Sequence, residues 1–212
     1  MFDIEYKGGN AVVLATKKVS LAIDPNRSEF GLKDVTIKGG AELATERRFL
    51  TNSSDYAVSL EGPGEYEISD LLIKGFPAYR HLDDRGASGM DTTIYRIEVG
   101  NIQVGVLGNI DGKLDDDQLE ELGVIDILIL PVGGNGYTMD AVSASELTNK
   151  IGPKVVIPVH FADAKLKYAV TQDNIDQYIE TMKLPVKEEK KLKIKSPASL
   201  PESMEIYKLS ID

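Results

Sequence analysis

The length, composition and charge of this 212-residue chain set the first limits on what it can be. Hydrophobic residues make up 42% of it, enough for one substantial core, and no linker-like stretch divides it, so we predict a single domain over residues 1–212. With 34 acidic against 24 basic residues, its formal net charge of -10 disfavours contact with a phosphate backbone, and we expect no nucleic-acid partner. The absence of cysteine excludes disulfides and thiolate metal sites.

The amino-terminal sequence MFDIEYKGG has neither the basic segment nor the apolar segment of a secretion signal. No later run of apolar residues approaches the length needed to cross a bilayer. We therefore predict a soluble, cytoplasmic protein with no membrane partner.

The first half of the chain predicts a succession of β-strands. Residues 2–6, 11–16 and 19–23 form three short apolar runs separated by turn-forming residues, and Asp24-Pro25 ends the third. The stretch 26–50 is ambiguous, with a possible strand at 35–38. Further strands are predicted at 56–60, 66–68, 71–75, 93–99 and 102–107.

Helices alternate with strands in the second half. Asp115 and Gln118 make a capping-box pattern that starts a short helix, and Gly123 can end it. Asp140 is the predicted cap of a second helix and Thr171 of a third. Strands are predicted at 127–130, 155–157, 190–194 and 205–209.

His160 is one of two histidines in the chain and follows the apolar run KVVIP. Pro158 cannot donate a ladder hydrogen bond, so we predict that the strand ends there and places His160 just past its carboxyl end. Ligands of open α/β folds usually bind at that end. A buried histidine that bonds a backbone carbonyl for structural reasons would fit the same position.

The order of elements and several loops resemble the metallo-β-lactamase fold, specifically its lactonase-like branch of predicted metal-dependent hydrolases. The resemblance runs over nearly the whole chain and includes LAIDP at 21–25, EGPGEYE at 61–67, GFPAY at 75–79, 115–123, 126–134, YTMD at 137–140 and VVIPVHF at 155–161. It implies an α+β fold, a four-layer αββα sandwich with helices outside two sheets.

The resemblance also implies one or two metal ions that generate a hydroxide nucleophile, held by a set of histidine and aspartate ligands. The family's H-x-H-x-D-H loop falls at 45–55, where this chain reads TERRFLTNSSD without a histidine. Asn109 replaces an aspartate that bridges two ions, and Arg80 replaces a histidine unless His81 takes its place. His160 is the only ligand position that is clearly retained, so we predict no metal or other cofactor.

These substitutions predict a vestigial, polar cleft in place of a metal centre. Arg80, Arg47 or Arg48 could pair with a small anionic ligand, because a guanidinium offers two parallel donors. We expect a catalytically inactive homologue that acts as a small-molecule-binding or assembly protein, with a homo-oligomer as a further expectation. The predicted cleft residues are His160, Asn109, Arg80, His81, Asn52 and Ser54, with Asn135 and Tyr137 beside them.

Two catalytic alternatives stay open. A metal-dependent hydrolase of a lactone or a phosphorylated small molecule would use a rearranged site of His160, His81 and Asp55 with zinc or another divalent metal. A metal-free hydrolase would instead need Ser53 or Ser54 as a nucleophile beside His160.

Overall fold

A computed structural model describes residues 1–81 and 92–211, which form two β-sheets and three α-helices. The strands are β1 Phe2–Gly8, β2 Ala11–Ala15, β3 Ser20–Ile23, β4 Ala41–Ala44, β5 Val58–Glu61, β6 Gly64–Ile68, β7 Leu71–Ala78, β8 Thr92–Val99, β9 Ile102–Val106, β10 Ile127–Pro131, β11 Val155–Val159, β12 Val186–Glu189, β13 Leu192–Ile194 and β14 Glu205–Leu209. The helices are α1 Asp116–Leu122, α2 Ala141–Ile151 and α3 Ile175–Met182.

The strands form two sheets of six and eight strands. The first has the order β13-β1-β2-β3-β4-β5 and the second β12-β14-β11-β10-β9-β8-β7-β6. Short connections join β5 to β6 and β12 to β13, so on each side of the sandwich the terminal strands of both sheets lie next to each other in sequence. This architecture confirms the predicted α+β sandwich.

The core lies mainly between the sheets and extends under the helices. Strand β1 alternates buried and half-buried residues because one face lies on the core, whereas β10 and β11 are buried throughout. Full burial of β10 follows from its position between β9 and β11 with α2 packed against it. The apolar runs that predicted these two strands therefore reflect coverage on both faces.

The outer face of the six-stranded sheet is covered by irregular chain. Val13 and Ala22 pack there with Tyr56, and Val35 and Ile37 contact the same cluster. The possible strand at 35–38 was a wrong expectation, because these residues pack through their side chains and pair with no strand. Strand β4, which the sequence did not predict, begins just after them.

The helix caps are as predicted with one exception. Asp115 and Gln118 form the reciprocal capping box of α1, and Asp140 accepts a hydrogen bond from the backbone N–H of Ser143 at the start of α2. Helix α3 is capped by Asn174 and not by Thr171. Both residue types cap helices, and the one nearer the apolar stripe of the helix is the one used.

The predicted strand end at Pro158 was also wrong. Strand β11 continues to Val159, and Leu130 of β10 pairs with Pro158. On the other side, pairing with β14 is confined to Val155 and Val156, so Pro158 lies beyond the reach of that neighbour. A proline is tolerated where its strand has such a free side. Strand β12 was not predicted.

None of the helices in the described part of the chain is long and apolar enough to cross a membrane.

Candidate functional site

The candidate site lies where several strands of both sheets end. Glu46 follows β4, Asn109 follows β9, and His160 follows β11, while Asn10 lies in the turn between β1 and β2. All four are buried, with exposed fractions of 0% for His160 and 4% for Glu46. Four buried polar side chains at one place require partners, because an unpaired buried polar group is costly.

The four side chains form a continuous hydrogen-bond chain. The Nδ1 atom of His160 lies 3.0 Å from Oδ1 of Asn10, and Nδ2 of Asn10 donates to Oδ1 of Asn109 over 3.0 Å. Nδ2 of Asn109 then donates to Oε1 of Glu46 over 3.1 Å. Because Asn10 presents its oxygen to the ring, Nδ1 of His160 carries the proton and Nε2 carries the lone pair.

Three aromatic rings enclose the imidazole of His160. Tyr137 stacks on it with a centroid separation of 5.0 Å, Phe30 meets it edge-on at 5.2 Å, and Tyr168 lies at 4.9 Å. Burial, and secondly the charge of Arg48, lowers the pKa of His160 to about 3. The ring is therefore neutral at physiological pH and a very weak base.

The backbone of His160 is also unusual. Its φ of 51° lies in the left-handed region, and its N–H donates to the carbonyl of Gly9 over 2.8 Å. Few residues other than glycine and asparagine adopt this backbone conformation readily, so the surrounding contacts must hold His160 in it.

Glu46 balances two arginines. Its Oε2 atom lies 3.0 Å from Nε of Arg48 and 3.4 Å from a terminal nitrogen of Arg80. Arg48 also lies over the rings of Phe49 at 4.8 Å and Tyr137 at 5.5 Å. With only 4% of its surface exposed, the Glu46 side chain contacts both guanidinium groups and holds them at the site.

Asp24 is a second buried carboxyl group close to this cluster. Its Oδ1 accepts from the backbone N–H of Thr45 over 2.7 Å, and Oδ2 accepts from the Thr45 hydroxyl over 2.8 Å. Burial raises the pKa of Asp24 to about 7, although the two hydrogen bonds from Thr45 oppose the shift. Both oxygens are thus used to fix the chain after β4.

The structure brings some of the predicted cleft residues together. His160 and Asn109 belong to the hydrogen-bond chain, and Arg80 joins it through Glu46. His81 lies alongside, since its backbone N–H donates to the carbonyl of Asn109 over 2.8 Å. Tyr137 stacks on His160, as given above.

Other predicted residues lie elsewhere. Asn52 and Ser54 are exposed, and the neighbouring carbonyl of Asp55 accepts from Gly39, which precedes β4. This segment is therefore at the amino end of β4, whereas Glu46 follows the carboxyl end. The structure thus gives no support to a serine nucleophile beside His160 or to Asp55 as a ligand with it.

Two more residues proposed for the cleft do not join the hydrogen-bond chain from His160 to Glu46. Asn135 donates from its amide to Asp173 over 2.8 Å, and Arg47 is exposed. The amide of Gly134 donates within its own loop, to Thr138 and Met139, so this glycine-rich loop is organised by a tight turn.

Several residues that build the site were not predicted from the sequence. Glu46 lies in the segment TERRFL, where only the arginines were predicted to contact a ligand. Asn10 lies 150 positions from its partner His160. Phe30 and Tyr168 come from irregular segments. A polar residue in a Gly-Gly-Asn turn was the single available signal for Asn10, and such turns are common for conformational reasons.

The residues at this site do not fit a divalent metal ion. The His160 ring, whose Nε2 carries the lone pair, is enclosed by aromatic side chains, Asn109 is uncharged, and both oxygens of Asp24 accept from Thr45. Within residues 1–81 and 92–211, no group of three or more His, Asp or Glu side chains is arranged to hold a metal. The guanidinium groups of Arg48 and Arg80, which contact Glu46, would also repel a dication.

A small cavity lies against the three aromatic rings that enclose His160. The cavity has a volume of about 30 Å³ and is lined by Glu29, Phe30, Tyr137, Tyr168, Ala169, Val170 and Gln172. This volume suits roughly one water molecule. A substrate would have to displace the rings before it could reach His160.

Comparisons with known proteins agree with this fold. The profile of the beta-lactamase superfamily domain matches residues 3–160. UPF0173 metal-dependent hydrolases are 29% identical over 99 residues in Thermococcus onnurineus (46% of this chain, 44% of the relative) and 27% over 130 residues in Carboxydothermus hydrogenoformans (59% and 55%). The chain therefore spans about half the length of the curated relatives it matches.

Solved structures extend the likeness over the whole chain. A Thermotoga maritima protein assigned to the Zn-dependent hydrolases of the metallo-β-lactamase superfamily superposes with a TM-score of 0.76 and 19% identity, over 99% of this chain and 98% of that one. A Parabacteroides distasonis protein assigned as a metal-dependent hydrolase gives 0.68 and 19%, over 99% and 94%. At this identity the likeness concerns the fold alone. Together with the profile match, it establishes that this chain belongs to the beta-lactamase superfamily and has the metallo-β-lactamase fold.

Proposed function

We propose that this chain keeps the metallo-β-lactamase fold without its metal chemistry and acts as an assembly or small-molecule-binding protein. The observation that carries the proposal is the hydrogen-bond chain from His160 to Glu46, together with the two arginines that Glu46 binds. Asn10, Asn109 and Glu46 satisfy one another, and Glu46 also contacts both arginines, whereas Nε2 of His160 has no hydrogen-bond partner among the described residues.

The charge of the site supports this proposal. A hydrolytic metal site needs carboxylates and neutral imidazoles around a cation. Here one carboxylate, Glu46, faces the cations Arg48 and Arg80 instead. The protein supplies the positive charge itself, so an added dication gains no binding energy there.

The proton chemistry also argues against turnover. A general base works best when its pKa is near the working pH. The pKa of His160 is lowered to about 3, and its ring is enclosed by Phe30, Tyr137 and Tyr168. It can orient Asn10 through Nδ1 but is a poor acceptor for a substrate proton.

Of the two roles, the structure favours assembly. Arg48 and Arg80, the expected binding groups for a small anion, are already engaged by Glu46. The cavity lined by Phe30, Tyr137 and Tyr168 has room for roughly one water molecule. An anionic ligand that replaced Glu46 at these guanidinium groups would leave that buried carboxylate without its two cations.

Metal content and hydrolysis test the proposal directly. Untagged protein is incubated with zinc, manganese or iron, freed of excess ion, and analysed for bound metal, and hydrolysis of a lactone and of a phosphate monoester is followed. We expect far less than one metal ion per chain and hydrolysis at the rate of buffer. Near-stoichiometric metal that is retained by Ser54→Ala but lost in His160→Asn would contradict the proposal. Asparagine is chosen because it tolerates the left-handed backbone of His160.

That contradicting result would support a metal-dependent hydrolase of a lactone or a phosphorylated small molecule. Two observations favour this second candidate. The matched relatives are named metal-dependent hydrolases. In addition, Nε2 of His160 and Nδ1 of His81 are buried and have no hydrogen-bond partner among the described residues. Zinc or another divalent ion would then need these nitrogens to turn toward it.

A further inference from the structure

The two lateral sides of the sandwich carry opposite charges. On one side, the terminal strands β12 and β13 with their connection form residues 186–195, which contain five lysines and two glutamates. On the other side, the terminal strands β5 and β6 form residues 58–68, which contain three glutamates and no basic residue. We name these segments the basic edge and the acidic edge.

We propose that the basic edge of one copy of this chain docks on the acidic edge of a second copy, so that the protein assembles head to tail. The inference rests on the assembly role proposed above and names its partner.

The strands at both edges are available for pairing. β12 and β5 are each hydrogen-bonded to one neighbouring strand, β14 and β4, and no strand of the described chain pairs with their outer sides. Residues of β12 are all exposed, and β5 is exposed at three of four positions. A strand with unpaired N–H and C=O groups is a template for pairing with another strand.

The geometry of the sandwich lets both sheets take part at once. β13 and β5 are opposite ends of the six-stranded sheet, and β12 and β6 are opposite ends of the eight-stranded sheet. When a second copy is placed beside the first in the same orientation, each sheet continues into its counterpart. The contact is heterologous, because different surfaces meet, and it leaves one free edge at each end of the assembly.

Several charges at the two edges have no ion-pair partner in the described chain. Lys187 and Lys191 are paired internally, with Glu205 and with Asp3 and Glu5. Glu65 is 78% exposed and lies 3.8 Å from Lys74. The charges without such a partner are Lys190, Lys193 and Lys195 on the basic edge and Glu61 and Glu67 on the acidic edge.

A lysine-rich edge commonly prevents strands from pairing, because it repels a like edge and is costly to bury against a neutral one. The acidic edge changes that outcome, since complementary charges steer the two edges together and fix their register. A groove of about 680 Å³ beside the basic edge, lined by residues that include Lys190, Lys193 and Tyr207, leaves room for the acidic side chains. Short edge strands give a small contact, so we expect weak, reversible association.

Sedimentation velocity of the wild-type chain is the first test, at protein concentrations from about 10 to 500 µM. We expect the mean mass to rise with concentration. The association constant should fall at least about tenfold between about 0.05 M and 0.5 M NaCl, because exposed charges are screened. A single monomeric species at every concentration and salt level would overturn the inference.

Charge-reversal variants identify the surfaces. Each edge variant alone should stay monomeric at low salt, whereas an equimolar mixture of the two should associate, because each then meets an edge of opposite charge. The control variant carries, on the helical side, the same change in net charge as the basic-edge variant, and it should associate within about twofold of wild type. Association of either edge variant alone at the wild-type level would refute the assignment. The basic-edge variant is Lys190→Glu/Lys193→Glu/Lys195→Glu, the acidic-edge variant is Glu61→Lys/Glu65→Lys/Glu67→Lys, and the control is Lys113→Glu/Lys150→Glu/Lys183→Glu.

Because no edge residue belongs to the candidate site, this test is separate from the metal and hydrolysis tests. A monomeric protein without metal would refute head-to-tail assembly and leave the loss of metal chemistry standing. An assembling protein that binds metal at His160 would do the reverse.

Discussion

Glu46 reverses the usual charge arrangement of a metal centre. In such a centre, anionic side chains surround a cation, whereas here two guanidinium groups surround one carboxylate. Asn109 donates a further hydrogen bond to Glu46 and accepts one from Asn10, which in turn contacts His160. A single residue after β4 thus links segments from both sheets.

Replacing Glu46 with glutamine tests that link. The substitution keeps the size of the side chain but removes the charge of Glu46 from its contacts with Arg48 and Arg80, so we expect a loss of about 2–3 kcal/mol in the free energy of unfolding. This loss is smaller than that for a fully buried ion pair because both arginines are partly exposed. Urea denaturation measures it, with Arg47→Ala as a control that should stay within about 0.5 kcal/mol of wild type. Equal stability of Glu46→Gln and wild type would show that the ion pairs contribute nothing.

At this scale the sequence predicted the position of His160 but not its environment. The apolar run before it placed the ring at a strand end, and Asn109 followed from the same logic. Asn10 and Glu46 were missed because their partners lie 150 and 63 positions away and no local pattern connects them. The arginines were recognised as anion-binding groups, but the anion is a side chain of the protein itself.

Helix α1 supports the site from behind. Its capping box fixes Gln118, whose Nε2 donates to the carbonyl of Pro77 in β7 over 2.9 Å. Three residues later the same strand delivers Arg80, which bridges to Ile110. The cap therefore connects the start of a helix to the position of a charged group in the site.

Asp115→Ala should cost about 1 kcal/mol of stability, because the N–H of Gln118 loses its acceptor and Gln118 loses its orientation. Asp116→Ala is the matched control. Its side chain is fully exposed and makes only a surface pair of 3.6 Å with Lys150, so we expect a change of a few tenths of a kcal/mol. Thermal and urea unfolding distinguish the two, and equal effects would contradict the role of the cap.

Elements with strong local patterns were predicted well. β10 and β11 are apolar throughout, and α1 and α2 carry explicit caps, so local sequence was sufficient for them. β12 reads VKEE and β4 reads AELA, and neither alternates in polarity. These strands form because neighbouring strands offer hydrogen bonds, which is information that the segment does not contain.

For the whole molecule, two buried groups make stability depend on pH in opposite directions. The pKa of His160 is lowered from 6.5 to about 3, so its contribution to stability is complete above pH 6.5 and is lost as the pH falls toward 3. The pKa of Asp24 is raised from 3.8 to about 7, so its contribution is complete below about pH 4 and is lost as the pH rises toward 7. Between about pH 4 and 6.5 the two effects oppose each other.

The substitution Asp24→Asn should separate the effect of Asp24 on the pH dependence of stability from that of His160. Asparagine can still accept from the N–H of Thr45, but it no longer titrates. Relative to wild type, we expect the unfolding free energy of this variant to rise more steeply with pH between about 4 and 6.5, by up to about 1.4 kcal/mol per pH unit. Urea denaturation at several pH values gives the slopes. Parallel curves for variant and wild type would mean that Asp24 ionises normally in the folded protein.

The position of β14 in the second sheet determines when the sheet can be completed during synthesis. This strand follows β11 and β12 in the sequence, yet it lies between them in the sheet, and β13 pairs with β1, which is far from it in the sequence. Both sheets therefore stay incomplete during synthesis until residues near 190–209 leave the ribosome, and these long-range pairings form slowly. The basic edge forms only when β12 pairs with β14 and β13 pairs with β1. The self-association that we propose would therefore follow these pairings.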